Sequence, residues 1–239
     1  MTEIRTAIPE EVDRYLDSLV RTGAFGSKAE LVRAALMAYS ETAGPLARGF
    51  DRENMLAPDG RVYQLEYARE AALRGGPCLG IAYDVGVLLA GATAPRSRLV
   101  RSVPKIQRVG ERAAILTAGL LADGYVAVSQ VRRAKPRTTE ELLDLLVRFY
   151  WEHTVDRTKR ALAAALLVGV AFGGKPRLFL IDPSGALVEH DAAVMGEGSL
   201  ARTEVLEARY KRTSAKEAER LALEVLDNPK ACEIVHVRA

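Results

Sequence analysis

The turn Pro58-Asp59-Gly60-Arg61 leads straight into Tyr63, Gln64, Glu66, Tyr67 and Arg69, side chains suited to hydrogen bonding and charge pairing on a helix surface. Nucleophilic chemistry is harder to find. Cys78 follows Gly75-Gly76-Pro77 with no histidine close to it in sequence, so a small buried thiol is expected rather than an activated thiolate. His153, His190 and His236 are scattered without metal-ligand spacing, and no metal or other cofactor is expected. Ala171-Phe172-Gly173-Gly174-Lys175 has the look of a phosphate loop but lacks its spacing and the Ser or Thr after lysine, so it reads as a hairpin turn. The backbone amides of Gly26, Ser27 and Lys28 open a helix and are candidates for holding a phosphate, with Arg5 as a further DNA or phosphate contact.

The elements that must position these residues fall into two parts. A chain of 239 residues can bury a substantial core, and a formal charge of +3 is too small to imply nucleic-acid affinity over the whole surface. The acidic residues just behind Met1 argue against a secretion signal, and the apolar run at 161–172 is too short to span a bilayer. Cys78 and Cys232 are too few for a disulfide framework or a four-cysteine zinc site. A soluble cytoplasmic protein is expected.

Residues 1–44 form the first part. Alternation predicts a strand over 3–8, Pro9 with Glu10 and Glu11 starts a helix, and Gly23 ends it. Ser27-Lys28-Ala29-Glu30 is a capping box that opens a second helix, and Thr42-Ala43-Gly44-Pro45 reads as a helix-breaking linker. Residues 4–39 resemble the ribbon-helix-helix fold, through the strand, the Ile8-to-Val12 junction and the Gly23-to-Leu31 turn. The resemblance implies dimerisation through paired strands and DNA contact by the ribbon. The outward face of Glu3, Arg5 and Ala7 suits DNA poorly, so a dimerisation module, a DNA-binding module and a plain helical hairpin packed on the rest of the chain all stay open.

Residues 45–239 alternate in period. A helix is expected over 61–74, then strands over 78–83, 85–90, 106–109 and 113–117, and helices over 119–132 and 138–153. Strands over 164–172, 177–181 and 187–195, helices over 199–210 and 214–226, and a strand over 233–237 complete the order. Two strand-rich blocks with paired helices predict an α+β fold, two packed sheets between helical layers in a four-layer αββα sandwich.

This order, with Phe50-Asp51-Arg52, Pro58-Asp59-Gly60-Arg61, Gln64-Leu65-Glu66-Tyr67-Ala68 and the stretch from Thr117 to Asp123, resembles a proteasome alpha subunit. The resemblance implies a non-catalytic subunit of a seven-membered ring, with beta subunits and an activator ATPase as partners. It implies a gate cluster of Phe50, Asp51, Arg52, Pro58 and Tyr67, and a pocket of Lys105, Gly119 and Leu120 that captures an activator's C-terminal carboxylate. The catalytic branch of that superfamily frees a threonine at the first inner strand, where this chain has Gly75-Gly76-Pro77-Cys78. Neither the nucleophile nor its lysine and aspartate partners are expected, so the protein is not read as an enzyme. Several features depart from the family: phenylalanine stands at the gate tyrosine position, the interval to Pro58 is one residue shorter, and an extra domain precedes the gate. A two-fold module also fits an odd-membered ring poorly. A divergent paralogue with another assembly is therefore a rival to an ordinary ring subunit, and a DNA-binding regulator using the alpha-like fold as an oligomerisation platform is the alternative from another class.

Overall fold

The computed structural model describes residues 7–47, 49–93, 99, 104–227 and 231–238. Most of the strand expected over 3–8, and Arg5 with it, lies outside the described residues; Ile8 follows no strand geometry and is exposed. Helices α1 (Glu10–Arg21) and α2 (Lys28–Ala47) form a hairpin that buries Leu16 and Leu31. The expected linker at Thr42 to Pro45 is instead the end of α2.

Helix α3 (Tyr63–Leu73) precedes a four-stranded sheet ordered β8-β1-β2-β9 and a five-stranded sheet ordered β3-β4-β5-β6-β7. The strands are β1 (Cys78–Tyr83), β2 (Gly86–Ala92), β3 (Ile106–Val109), β4 (Ala113–Gly119), β5 (Ala164–Val170), β6 (Arg177–Ile181), β7 (Leu187–His190), β8 (Ala192–Met195) and β9 (Cys232–Arg238), and every pairing is antiparallel. The period-2 alternation sorts their side chains. Val87 and Leu89 of β2 meet Leu116 and Leu167 of the opposite sheet, while Leu88 and Ala90 point the other way. That outer face packs against α6 (Ser199–Arg209) and α7 (Ala215–Val225), and Ile115 and Val168 pack against α4 (Leu121–Ala134) and α5 (Thr139–Val155). The mixed α and β content agrees with the sequence reading. Among the described residues no helix is long and apolar enough to cross a membrane.

Two expectations need correction. The strand predicted over 187–195 breaks at Asp191, and its halves join different sheets: β7 pairs with β6, β8 with β1. Of the apolar positions Leu121, Val126, Val128 and Val131 expected to pack from α4, Val128 and Val131 are fully buried, but Leu121 and Val126 are half exposed, whereas Asp123, Gly124 and Ala127 are buried. Gly124 explains the rotation, because a β-carbon there would stand 2.3 Å from the Thr117 side chain. Only glycine lets the helix approach the sheet so closely.

Candidate functional site

The polar side chains of α3 are set by the turn before it. Gly60 adopts φ +83° and donates to Ala57 O at 2.9 Å, and Ala57 N donates to Arg61 O at 2.8 Å. Asp59 accepts from Arg61 N at 3.1 Å and from the buried Tyr63 hydroxyl at 2.7 Å; the tyrosine bond holds its carboxyl below the usual range. Arg61 grips Glu66 with two guanidinium bonds and lies 5.0 Å from the Tyr63 ring centre. The stretch that looked rich in chemistry thus spends most of its polar groups on fixing its own geometry.

What remains faces residues 49–57. Gln64 donates to Asp51 O, and the Tyr67 hydroxyl meets the Asp51 carboxylate. Burial first, and Asp51 second, hold the Tyr67 phenol above its ordinary value. Of the expected gate cluster the structure therefore joins Asp51 with Tyr67. Phe50 is half-buried, while Arg52 and Pro58 are exposed, with no hydrogen bond to Tyr67 among the described residues.

Asn54 was not singled out from the sequence. It is 5% exposed, and its amide donates to His153 O at 2.6 Å, Asp156 O at 3.3 Å and Lys159 O at 2.6 Å, pinning the segment before α3 to the end of α5. A lone asparagine among polar neighbours carries no periodic signal that marks it. Asp123 was missed in the same way. Burial works to raise its carboxyl, but a bidentate pair with Arg160 at 2.7 Å and a bond from Ala163 N at 2.8 Å prevail and lower it.

The second expected site converges on Gly75-Gly76. A β-carbon on Gly75 would fall 2.2 Å from Gly119 N, and one on Gly76 would fall 3.2 Å from Lys105 Nζ. Lys105 Nζ donates to Ala92 O at 3.0 Å and Gly76 O at 3.3 Å, and its backbone N donates to Glu233 at 2.8 Å. Lys105 and Gly119 thus border one short segment, and Leu120, next in the chain, is half exposed. An incoming carboxylate would have to compete with two carbonyls for the ammonium. Cys78 lies beside Lys105, yet burial pushes its thiol up to about 11, so at neutral pH it stays protonated.

In the N-terminal hairpin, Ser27 caps α2 by accepting from Glu30 N at 3.2 Å, and Gly26 N donates to Glu30 at 2.9 Å. Lys28 is held by Asp13 at 2.7 Å and Asp17 at 2.9 Å, which raises its pKa. A phosphate at Gly26, Ser27 and Lys28 would find the Gly26 N–H and the Lys28 ammonium already engaged by carboxylates. Among the described residues no three His, Cys, Asp or Glu side chains gather to hold a metal.

Comparison with known proteins adds a family. The family described as Proteasome subunit matches residues 72–233. Proteasome subunit alpha of Methanobrevibacter smithii is 34% identical over 192 residues, covering 75% of this chain and 77% of the relative. Proteasome subunit alpha of Methanosarcina acetivorans is 38% identical over 175 residues, 68% of this chain and 71% of the relative. That of Methanopyrus kandleri is 33% identical over 195 residues, covering 76% and 79%.

Proposed function

The chain belongs to the proteasome subunit family, and from that premise we propose that it is a non-catalytic alpha-type subunit that scaffolds and gates an oligomeric assembly. The observation that carries this reading is the seating of residues 49–57: Asp51 on α3 and Asn54 on α5 hold the segment before the helix in a fixed path. The three apolar layers, helix on sheet, sheet on sheet and sheet on helix, support an αββα sandwich for the body. The absence of catalysis is supported by Gly76 at the place of a nucleophile, by a Lys105 ammonium engaged by carbonyls, and by a protonated, fully buried Cys78. Lys105, Gly119 and Leu120 serve as the docking pocket for an activator's terminal carboxylate, with the ammonium turning from carbonyls to carboxylate on binding.

The N-terminal hairpin is a dimerisation module in this reading. Val12 and Tyr15 of α1 and Leu36 and Met37 of α2 are exposed apolar side chains on an element too small to stand comfortably alone. DNA binding is disfavoured by Glu10, Glu11 and Asp13 in the first turn of α1 and by the two carboxylates on Lys28. Light scattering on the full chain tests the assembly. A native mass near seven or fourteen times 26.0 kDa is expected, and a stable dimer or tetramer overturns the ring.

A further inference from the structure

The Asn54 anchor works through one atom. Asn54 Oδ1 is buried and, among the described residues, accepts no hydrogen bond, so the side chain holds its segment to the body through Nδ2. An amide nitrogen has only two N–H groups, so its three acceptors compete, and the short bonds to His153 O and Lys159 O, both 2.6 Å, carry most of the hold. The anchor is therefore only as firm as the placement of those carbonyls.

The turn that presents them closes on itself. The Asp156 carboxylate accepts from Thr158 N at 2.9 Å and Thr158 Oγ1 at 2.7 Å, and Lys159 N donates to Asp156 O at 3.1 Å. Arg160, next in the chain, fixes the closed turn to its surroundings. Its carbonyl oxygen lies 3.1 Å from His153 Nδ1 on α5, and its guanidinium grips both oxygens of Asp123, in the first turn of α4, at 2.7 Å. Asp123 is buried and also accepts from Ala163 N at 2.8 Å, just before β5, so it cannot follow a moving arginine. A bidentate pair sets direction as well as distance, which keeps the Lys159 carbonyl, one residue earlier, in line for Asn54.

We propose that Asp123 and Arg160 are positioning residues for residues 49–57, acting through the Lys159 carbonyl and Asn54 rather than on the segment itself. A role in gating rests on the reading of that segment as a gate; the positioning does not. Without its carboxylate, the half-exposed Arg160 guanidinium turns to water. Lys159 moves with it, and Asn54 loses one of its two short acceptors while keeping His153 O on the helix. If the pair served only to secure α4 against β5, the order of residues 49–57 would not depend on it.

Hydrogen exchange on the full-length protein, followed by mass spectrometry, tests this on peptides covering 49–57, where Arg52 N–H bonds Gly49 O at 3.0 Å and Ala57 N–H bonds Arg61 O at 2.8 Å. Asp123→Asn and Arg160→Gln are each expected to speed exchange there about tenfold, the loss of about one buried hydrogen bond. Neither should add to the effect of Asn54→Ala, because that variant already cuts the connection. Leu206→Ala opens a cavity in the opposite helical layer and should leave exchange at 49–57 as it is in the parent. Unchanged exchange in both Asp123→Asn and Arg160→Gln would overturn the proposal. An equal increase from Leu206→Ala would overturn it as general loosening, and additivity with Asn54→Ala would show a route that bypasses the anchor. Should Asp123→Asn fail to fold, Arg160→Gln decides, since its side chain is half exposed. Light scattering on the same samples keeps the two readings apart: a parent of dimeric mass whose segment still loosens would end the gate reading and retain the positioning role.

Discussion

Asn54 turns a few backbone carbonyls into an anchor, and its chemistry dictates how substitutions there behave. Asn54→Ala leaves the carbonyls of His153 and Lys159 without their buried donor and is expected to destabilise by about 2 kcal/mol in urea unfolding. Asn54→Asp is expected to be worse at neutral pH, because it faces carbonyl oxygens with a carboxylate. Its folded pKa is then raised, so its stability is retained below the unfolded value and lost as pH rises through the folded one. Asp123 runs the opposite way. Its folded pKa lies below the ordinary value of 3.8, so its contribution is present above that value and fades as pH falls through the lowered one. Acid titration of unfolding free energy should show Asp123→Asn less stable than the parent near neutral pH, with the difference shrinking in strong acid. Cys78 gives a third check: with its thiol pushed up to about 11 and no exposed surface, it should resist a disulfide-exchange reagent until the protein unfolds.

At the scale of elements, the sequence was most informative where a local signal needs no tertiary partner. Thr138 and Ser214, each followed three residues on by a glutamate, cap α5 and α7 by accepting from the Glu141 and Glu217 N–H groups, and glycine-rich breaks bound most strands correctly. The misreadings have a common cause in tertiary contacts. Leu121 and Val126 were misplaced on the buried face of α4 because burial there depends on Arg160, far away in sequence, neutralising Asp123 and on the close approach of Gly124 to Thr117 in the sheet. The break at Asp191 is invisible for the same reason, since only sheet assembly decides that one apolar run serves two sheets. Of the candidate site, the turn and α3 were legible through Pro58, Asp59 and Gly60, while Asn54 carried no pattern. The α4 contact yields a sharp prediction. Gly124→Ala improves helix propensity by about 1 kcal/mol but overpacks Thr117 by about 1–3 kcal/mol, so a net loss of stability is expected. Adding Thr117→Ala should recover much of it, because the Thr117 hydroxyl has no hydrogen-bond partner to lose. Thermal unfolding of the single and double variants separates this from a generic core defect.

For the whole molecule, the open problem is symmetry. A hairpin that pairs two-fold cannot satisfy every subunit of an odd-membered ring from within that ring, so one copy would be left over. Pairing between two rings removes the mismatch, because each hairpin then finds its counterpart across the interface. Leu36 and Met37, 55% and 59% exposed, are where the proposed pairing would be made and where it could be broken without disturbing Leu31 beneath. Leu36→Glu with Met37→Glu places charges on that face, and native mass spectrometry reads the consequence. If hairpins join ring to ring, the variant should have half the parent's mass while the smaller particle keeps its subunit number. If the mass is unchanged, the hairpins are appendages at the entrance and the body alone governs assembly. A fall to single chains would make hairpin pairing the sole basis of association, and the ring reading would fail with it.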